Sequence, residues 1–189
     1  MLSHSKLKRN FYQRPTLKVA QDLLGKFLVH KYRGPSTSLD YARDKSLGAG
    51  KIYRGMIIET EAYTGFDDLA CHGSRGMTER NKIMFQKGGY AYVYLIYGIY
   101  HCLNLVTEKE GKPSAVLIRG LDFPNADGPG KLCREFKITK KNCNGLDLTG
   151  DKLWVEDRGL GGFKIQKGPR VGIDYAKHCA TWPWRFWIK

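Results

Sequence analysis

The stretch Gly88–Val106, GGYAYVYLIYGIYHCLNLV, constrains the fold more than any other part of the chain. Tyr90, Tyr92 and Tyr94 alternate with Ala91, Val93 and Leu95, the period-2 pattern of a strand rich in aromatic and β-branched residues. Gly98 permits the positive φ of a tight turn, and the apolar run Ile99–Val106 leads back. The spacing therefore predicts a β-hairpin with Tyr97-Gly98 at its tip. Two residues are out of place in a purely structural hairpin. Tyr97 puts a large ring at a turn, where it gains little from any core, and Asn104 interrupts the apolar return strand with an amide that needs partners.

A chain of 189 residues has room for a substantial core, and a single domain over 1–189 is expected. Thirty-two Lys and Arg against 18 Asp and Glu leave a formal charge of +14, which points to a polyanionic partner, most often nucleic acid. A generally basic solvated surface would give the same count. Cys71, Cys102, Cys133, Cys143 and Cys179 show no C-x-x-C spacing, which argues against a zinc module or disulfide framework and for a reducing compartment. The start MLSHSKLKRNFYQR has no apolar h-region, and no apolar run approaches the ~18 residues of a membrane span. A protein that is neither secreted nor membrane-bound is expected, cytoplasmic or at the nucleoid in a bacterium and nuclear in a eukaryote.

Taken in order, residues 1–14 form a basic N-terminal segment, followed from Thr16 by a helix with Leu17, Ala20, Leu23 and Leu24 at helical spacing and Gly25 at its end. Lys26–Lys31 reads as a strand, and the polar stretch 33–50 as a mobile surface loop. Lys51–Tyr63 is a second strand. By strand parity Ile57, Glu59, Glu61 and Tyr63 share one face, where carboxylates are costly unless hydrogen-bonded, solvated or used. Asp67–Arg80 is polar and irregular and carries His72, which taken alone is more often structural than catalytic. Ala115–Leu121 is a buried strand with one charge, Arg119, which calls for an acceptor cluster opposite it. Gly128–Ile138 reads as a glycine-rich turn opening a short basic helix that includes Lys131, without the spacing of a Walker loop. Trp154-Val155 begins a further strand, Gly168–Tyr175 is turn-like, and Trp182, Trp184 and Trp187 read as core and lid.

With ETEAY at Glu59–Tyr63, Arg80-Asn81, YVYLIYGIYHCLN at Tyr92–Asn104, VLIRGL at Val116–Leu121, GPGKLC at Gly128–Cys133, PRVGID at Pro169–Asp174 and WRFW at Trp184–Trp187, the chain resembles the alkyladenine (methylpurine) DNA glycosylases of base-excision repair. The likeness spans nearly the whole chain apart from 33–50. It implies an α+β fold, a single compact domain whose curved, largely antiparallel sheet is surrounded by helices and carries a protruding DNA-inserting hairpin. Glu61 matches the carboxylate that activates water, and Arg119 the arginine beside the target phosphate and that water. Tyr63, His72 and Tyr94 match the residues enclosing a flipped base, Asn104 the amide disfavouring normal guanine, and Tyr97 the wedge that enters the minor groove. Arg80, Asn81 and Lys131 are expected at the DNA backbone. Met77 and Glu79 depart from the family, which usually has Arg and Pro there.

The resemblance further implies a monomer acting on double-stranded DNA that contains damaged purines, with no cofactor and no metal. No lysine is placed as a Schiff-base nucleophile, so hydrolysis leaving an abasic site, without strand cleavage, is expected. Two other readings compete. A basic, aromatic protein could recognise distorted DNA or RNA without catalysis, but it would gain nothing from Glu61 facing a phosphodiester. A metal-dependent nuclease would need clustered ligands that the histidine spacing does not offer.

Overall fold

The computed structural model describes residues 4–34 and 50–189. Within them the chain forms β1 (Ser5–Lys6), α1 (Arg9–Tyr12), α2 (Thr16–Asp22), β2 (Phe27–Tyr32), β3 (Lys51–Thr64), β4 (Ala91–Ile96), β5 (Tyr100–Val106), β6 (Ser114–Asp122), α3 (Pro129–Glu135), α4 (Lys140–Cys143), β7 (Leu153–Asp157), β8 (Gln166–Gly168) and β9 (Arg185–Trp187), with single-turn-type helical segments at Lys82–Phe85 and Asp174–Thr181. The strands make one antiparallel sheet in the order β1-β7-β2-β3-β6-β5-β4, and β9 pairs with both β3 and β8. The α+β class expected from the sequence is the fold observed. The loop expected over 33–50 lies outside the described residues from 35 to 49.

The longest strand, β3, is the spine. One edge pairs with β2 through Lys51–Met56 and then with β9 through Glu59–Glu61, while the other pairs with β6 along most of its length. Its register against β6 shifts between Ile57 and Thr60. Such a bulge adds a residue to one strand and re-aims the side chains beyond it. Ile57 is fully buried in the same core cluster as Ala62, an odd number of residues further on. The expectation that Ile57 shares a face with Glu59, Glu61 and Tyr63 is thus corrected: the bulge resets the alternation, so upstream β3 feeds the core while Glu61 and Tyr63 turn away from it. Gly120 of β6 makes room, since a Cβ there would lie 3.3 Å from the Glu59 Cβ.

The core fills the space between the sheet and α2, whose Val19 and Ala20 are fully buried, with Leu23, Leu28, Leu103, Leu105, Ile118 and Phe136. Each fully buried large apolar side chain contributes about 1.5–3 kcal/mol. Helix α2 ends as its composition predicts: Gly25 takes φ +81° and donates its N–H to Ile57 O at 2.9 Å. The N-terminal segment is more than a basic tail, because Tyr12 is entirely buried and Arg9 reaches Gly88 O at 2.9 Å. Among the described residues no helix is long and apolar enough to cross a membrane.

Candidate active site

Glu61 lies on β3 just past the bulge and is fully buried, an unusual state for a carboxylate. Its oxygens are held from three directions. Tyr63 donates its hydroxyl to Oε2 at 2.8 Å, the Val171 N–H donates to Oε1 at 2.8 Å, and Arg119 Nη1 lies 3.6 Å from Oε1. Arg119 is itself fixed by donating from Nε to Glu59 Oε1 at 3.0 Å, which supplies the acceptor cluster its strand position demanded. Burial raises the Glu61 pKa above the usual carboxylate range, and Arg119, Val171 and Tyr63 pull it only part of the way back. The result is a carboxylate more basic than an exposed one, aimed by fixed donors. Tyr63, buried beside that charge, is pushed well above the ordinary phenol value and stays a donor.

Glu61 forms part of a cleft of about 330 Å³, whose other walls include Tyr63, His72, Tyr94, Asn104 and Arg119. Its size falls within the roughly 300–1,000 Å³ of small-molecule pockets. Rings of His72 and Tyr94 meet edge to face with centroids 4.5 Å apart, and His72 Nδ1 lies 3.0 Å from the Tyr92 hydroxyl. Desolvation against this aromatic wall lowers the His72 pKa, and the Arg80 charge lowers it further. The Asn104 side chain, on a residue that is 4 % exposed and lines the cleft, donates from Nδ2 to Tyr92 O and Cys102 O at 3.4 Å each, both long bonds.

The hairpin forms as read, but its tip is one residue longer. Ile96 pairs with Tyr100, so Tyr97, Gly98 and Ile99 make the turn, with φ of 53° at Tyr97 and 72° at Gly98. Tyr97 is 85 % exposed and borders the mouth of the cleft. Arg80 also lines the cleft, its guanidinium 5.8 Å from the Tyr94 ring. Lys131 lies outside it, exposed and paired with Asp127 at 3.0 Å. Asn81, expected at the DNA backbone, is buried, donating to His72 O at 2.7 Å and Gly76 O at 3.0 Å while accepting from Thr78 N–H at 2.6 Å. Its side chain holds the loop that presents His72. Met77 and Glu79, the departures from the family pattern, both point into solvent.

The sequence reading missed Asp68 and Arg170. Both are fully buried and form a two-pronged pair, Nη2 to Oδ1 at 2.8 Å and Nη1 to Oδ2 at 2.5 Å. Arg170 also donates to Ala62 O at 2.8 Å, and its guanidinium lies 4.7 Å from the Tyr63 ring centre. The pair anchors the chain immediately before Val171, whose N–H meets Glu61. Arg170 stood within the PRVGID motif, but nothing local to it pointed to Asp68 as its partner. No group of three or more His, Cys, Asp or Glu among the described residues is placed to hold a metal ion.

This geometry can be set beside known proteins. Residues 45–189 match the family model described as methylpurine-DNA glycosylase. A relative from Methanocella arvoryzae is 48 % identical over 202 residues, covering 97 % of this chain and 92 % of its own. One from Alkaliphilus oremlandii is 43 % identical over 210 residues, with 97 % and 96 % covered. One from Legionella pneumophila strain Lens is 46 % identical over 190 residues, with 97 % and 94 % covered. All three are named, provisionally, as 3-methyladenine DNA glycosylases. A buried carboxylate under an aromatic cleft, an exposed tyrosine at its rim and full-length likeness to these relatives lead to one assignment: the chain belongs to the methylpurine-DNA glycosylase family.

Proposed function

We propose that this protein is a monofunctional glycosylase that takes alkylated or deaminated purines out of duplex DNA and hydrolyses the N-glycosidic bond with water activated by Glu61. The observation that carries this reading is Glu61 itself: a buried carboxylate of raised basicity, held by Val171, Tyr63 and Arg119 in an aromatic cleft of about 330 Å³. An enzyme acting on a base inside a duplex must extrude it, at a cost of a few kcal/mol. The extruded base stacks among Tyr63, His72 and Tyr94. Alkylation at N3 or N7 makes the purine cationic, which favours electron-rich rings and makes it a better leaving group. The bond electrons leave with the base, the sugar gains oxocarbenium character near the Glu61 carboxylate, and water adds at C1′ as its proton passes to Glu61. Arg119 offers a cation to the target phosphate, and Asn104 disfavours the exocyclic amine of normal guanine.

The test is release of the free base from duplexes carrying 3-methyladenine, 7-methylguanine, hypoxanthine or ethenoadenine, in EDTA. Release that leaves abasic sites in intact strands is expected. Tight binding to lesion DNA without release would instead establish a recognition protein.

Tyr97 is the proposed wedge. Replacing it with Ala should shift the flipping equilibrium by roughly 1–3 kcal/mol, the scale of one aromatic–base stack. Because the ring is 85 % exposed, thermal stability should hardly change. Ethenoadenine fluorescence reports the flipped fraction. A variant that melts much earlier and flips normally would return Tyr97 to a structural role.

Binding should be dominated by charge, given the +14 balance. With about six phosphates neutralised, log K against log salt should fall with a slope near −5. A slope close to zero would remove DNA as the natural ligand.

A further inference from the structure

A second hollow, of about 780 Å³, is lined by Arg33, Tyr100, His101, Arg134, Lys137 and Lys141 with intervening apolar residues, and no acidic side chain among the described residues lines it. It shares no lining residue with the catalytic cleft, yet the two meet along the hairpin tip and the start of α3. Ile96, Tyr97 and Pro129 belong to the cleft, whereas Ile99, Tyr100 and Gly130 belong to this groove. The wall is tied to the hairpin. The Tyr100 ring packs so closely on Gly130 that a Cβ there would lie 3.1 Å from it, and His101 Nδ1 accepts the Lys140 N–H at 3.2 Å. Thr139 and Asn142 cap α4 reciprocally, which fixes the helix that carries Lys141. Arg134 pairs with Glu135 at 3.2 Å, but Lys137 and Lys141 take part in no ion pair among the described residues.

We infer that this groove carries the sugar-phosphate backbone of the strand complementary to the damaged one. The inference rests on the reading of the cleft as the lesion site. A wedge driven between base pairs has the lesion strand on its cleft side, so the strand on its other side is the complement. There Ile99 and Tyr100, 67 % and 50 % exposed, offer an apolar edge to the sugars and bases, and the uncommitted lysines offer cations to the phosphates beyond. A groove whose charged lining, among the described residues, is all cationic and that is continuous with the proposed interface fits a nucleic-acid backbone better than any neutral occupant.

The test pairs a protein change with a DNA change. Lys137 adopts φ 57°, which asparagine tolerates, so the double variant Lys137→Asn, Lys141→Gln removes both charges without forcing the backbone. It should make the salt slope shallower by about 2 and weaken binding by roughly 10- to 100-fold near 0.1 M salt. Its single-turnover rate at saturating enzyme should match the parent. Neutral methylphosphonate linkages placed opposite the lesion should weaken the parent and add nothing to the variant's loss. An unchanged slope would make the lysines a merely solvated face. Interference confined to the lesion strand would overturn the strand assignment. If the parent releases no base, the glycosylase reading fails, while the slope and the interference pattern still decide the groove.

Discussion

Glu61→Gln should lower the single-turnover rate of base release by at least ~10²-fold while DNA binding survives. The change keeps the shape of the side chain and removes its basicity. Arg119 is not orphaned, because its bond to Glu59 at 3.0 Å remains. Stability should move the other way. Burial raises the folded-state pKa of Glu61 above its unfolded value of about 4.3, so the native fold binds this proton more tightly than the unfolded chain does. The group therefore supports the fold below that unfolded value, and the support is lost as pH rises through the folded one. At neutral pH the Gln variant should melt at or above the parent, each kcal/mol being worth roughly 2–4 °C, and the advantage should vanish in acid. Near-normal turnover in the variant would end the assignment, and a marked drop in its neutral-pH melting temperature would show the carboxylate to be structural.

Asp68→Ala is expected to be the most damaging single change to the fold around the site. It leaves the fully buried Arg170 guanidinium without its counter-charge and frees the Ala70 and Thr64 N–H groups that Asp68 accepts at 3.1 and 3.3 Å. Removing one partner of such a pair costs about 3–5 kcal/mol, or roughly 6–20 °C of melting temperature for a domain of this size. Activity should fall even well below the melting transition, because Arg170 precedes the Val171 N–H that aims Glu61. Replacing both members, Asp68→Ala with Arg170→Met, should recover much of the stability but not the rate. Additive losses in the double variant would mean that the two side chains act independently.

The range of each interaction decides how much of this was legible in the sequence. The hairpin was readable because its signals, the alternation at Tyr90–Leu95 and the glycine after Tyr97, are local. Its extra turn residue, Ile99, was not, because tip length is set by cross-strand register. Glu61 was marked by a carboxylate ending an apolar strand, yet the face shared with Ile57 was misjudged: a bulge depends on the partner strand, here on Gly120 opposite Glu59. Asp68 and Arg170 stayed invisible because they are 102 positions apart. The burial of Asn81 was unreadable for a related reason: the folded loop closes around it through the carbonyls of His72 and Gly76, which no side-chain pattern records.

The most direct test of Glu61 as the base is the pH dependence of single-turnover base release from a neutral lesion, hypoxanthine, by the parent and by Glu61→Gln. On the acid side the parent's rate should rise tenfold per pH unit through one ionisation above the ordinary glutamate value of about 4.3, because the ionised carboxylate is the active form and burial has raised its pKa. The Gln variant should lack that limb and be slow throughout. A parent profile that is flat across this acid range, or an acid limb that persists unchanged in the variant, would contradict the role assigned to Glu61.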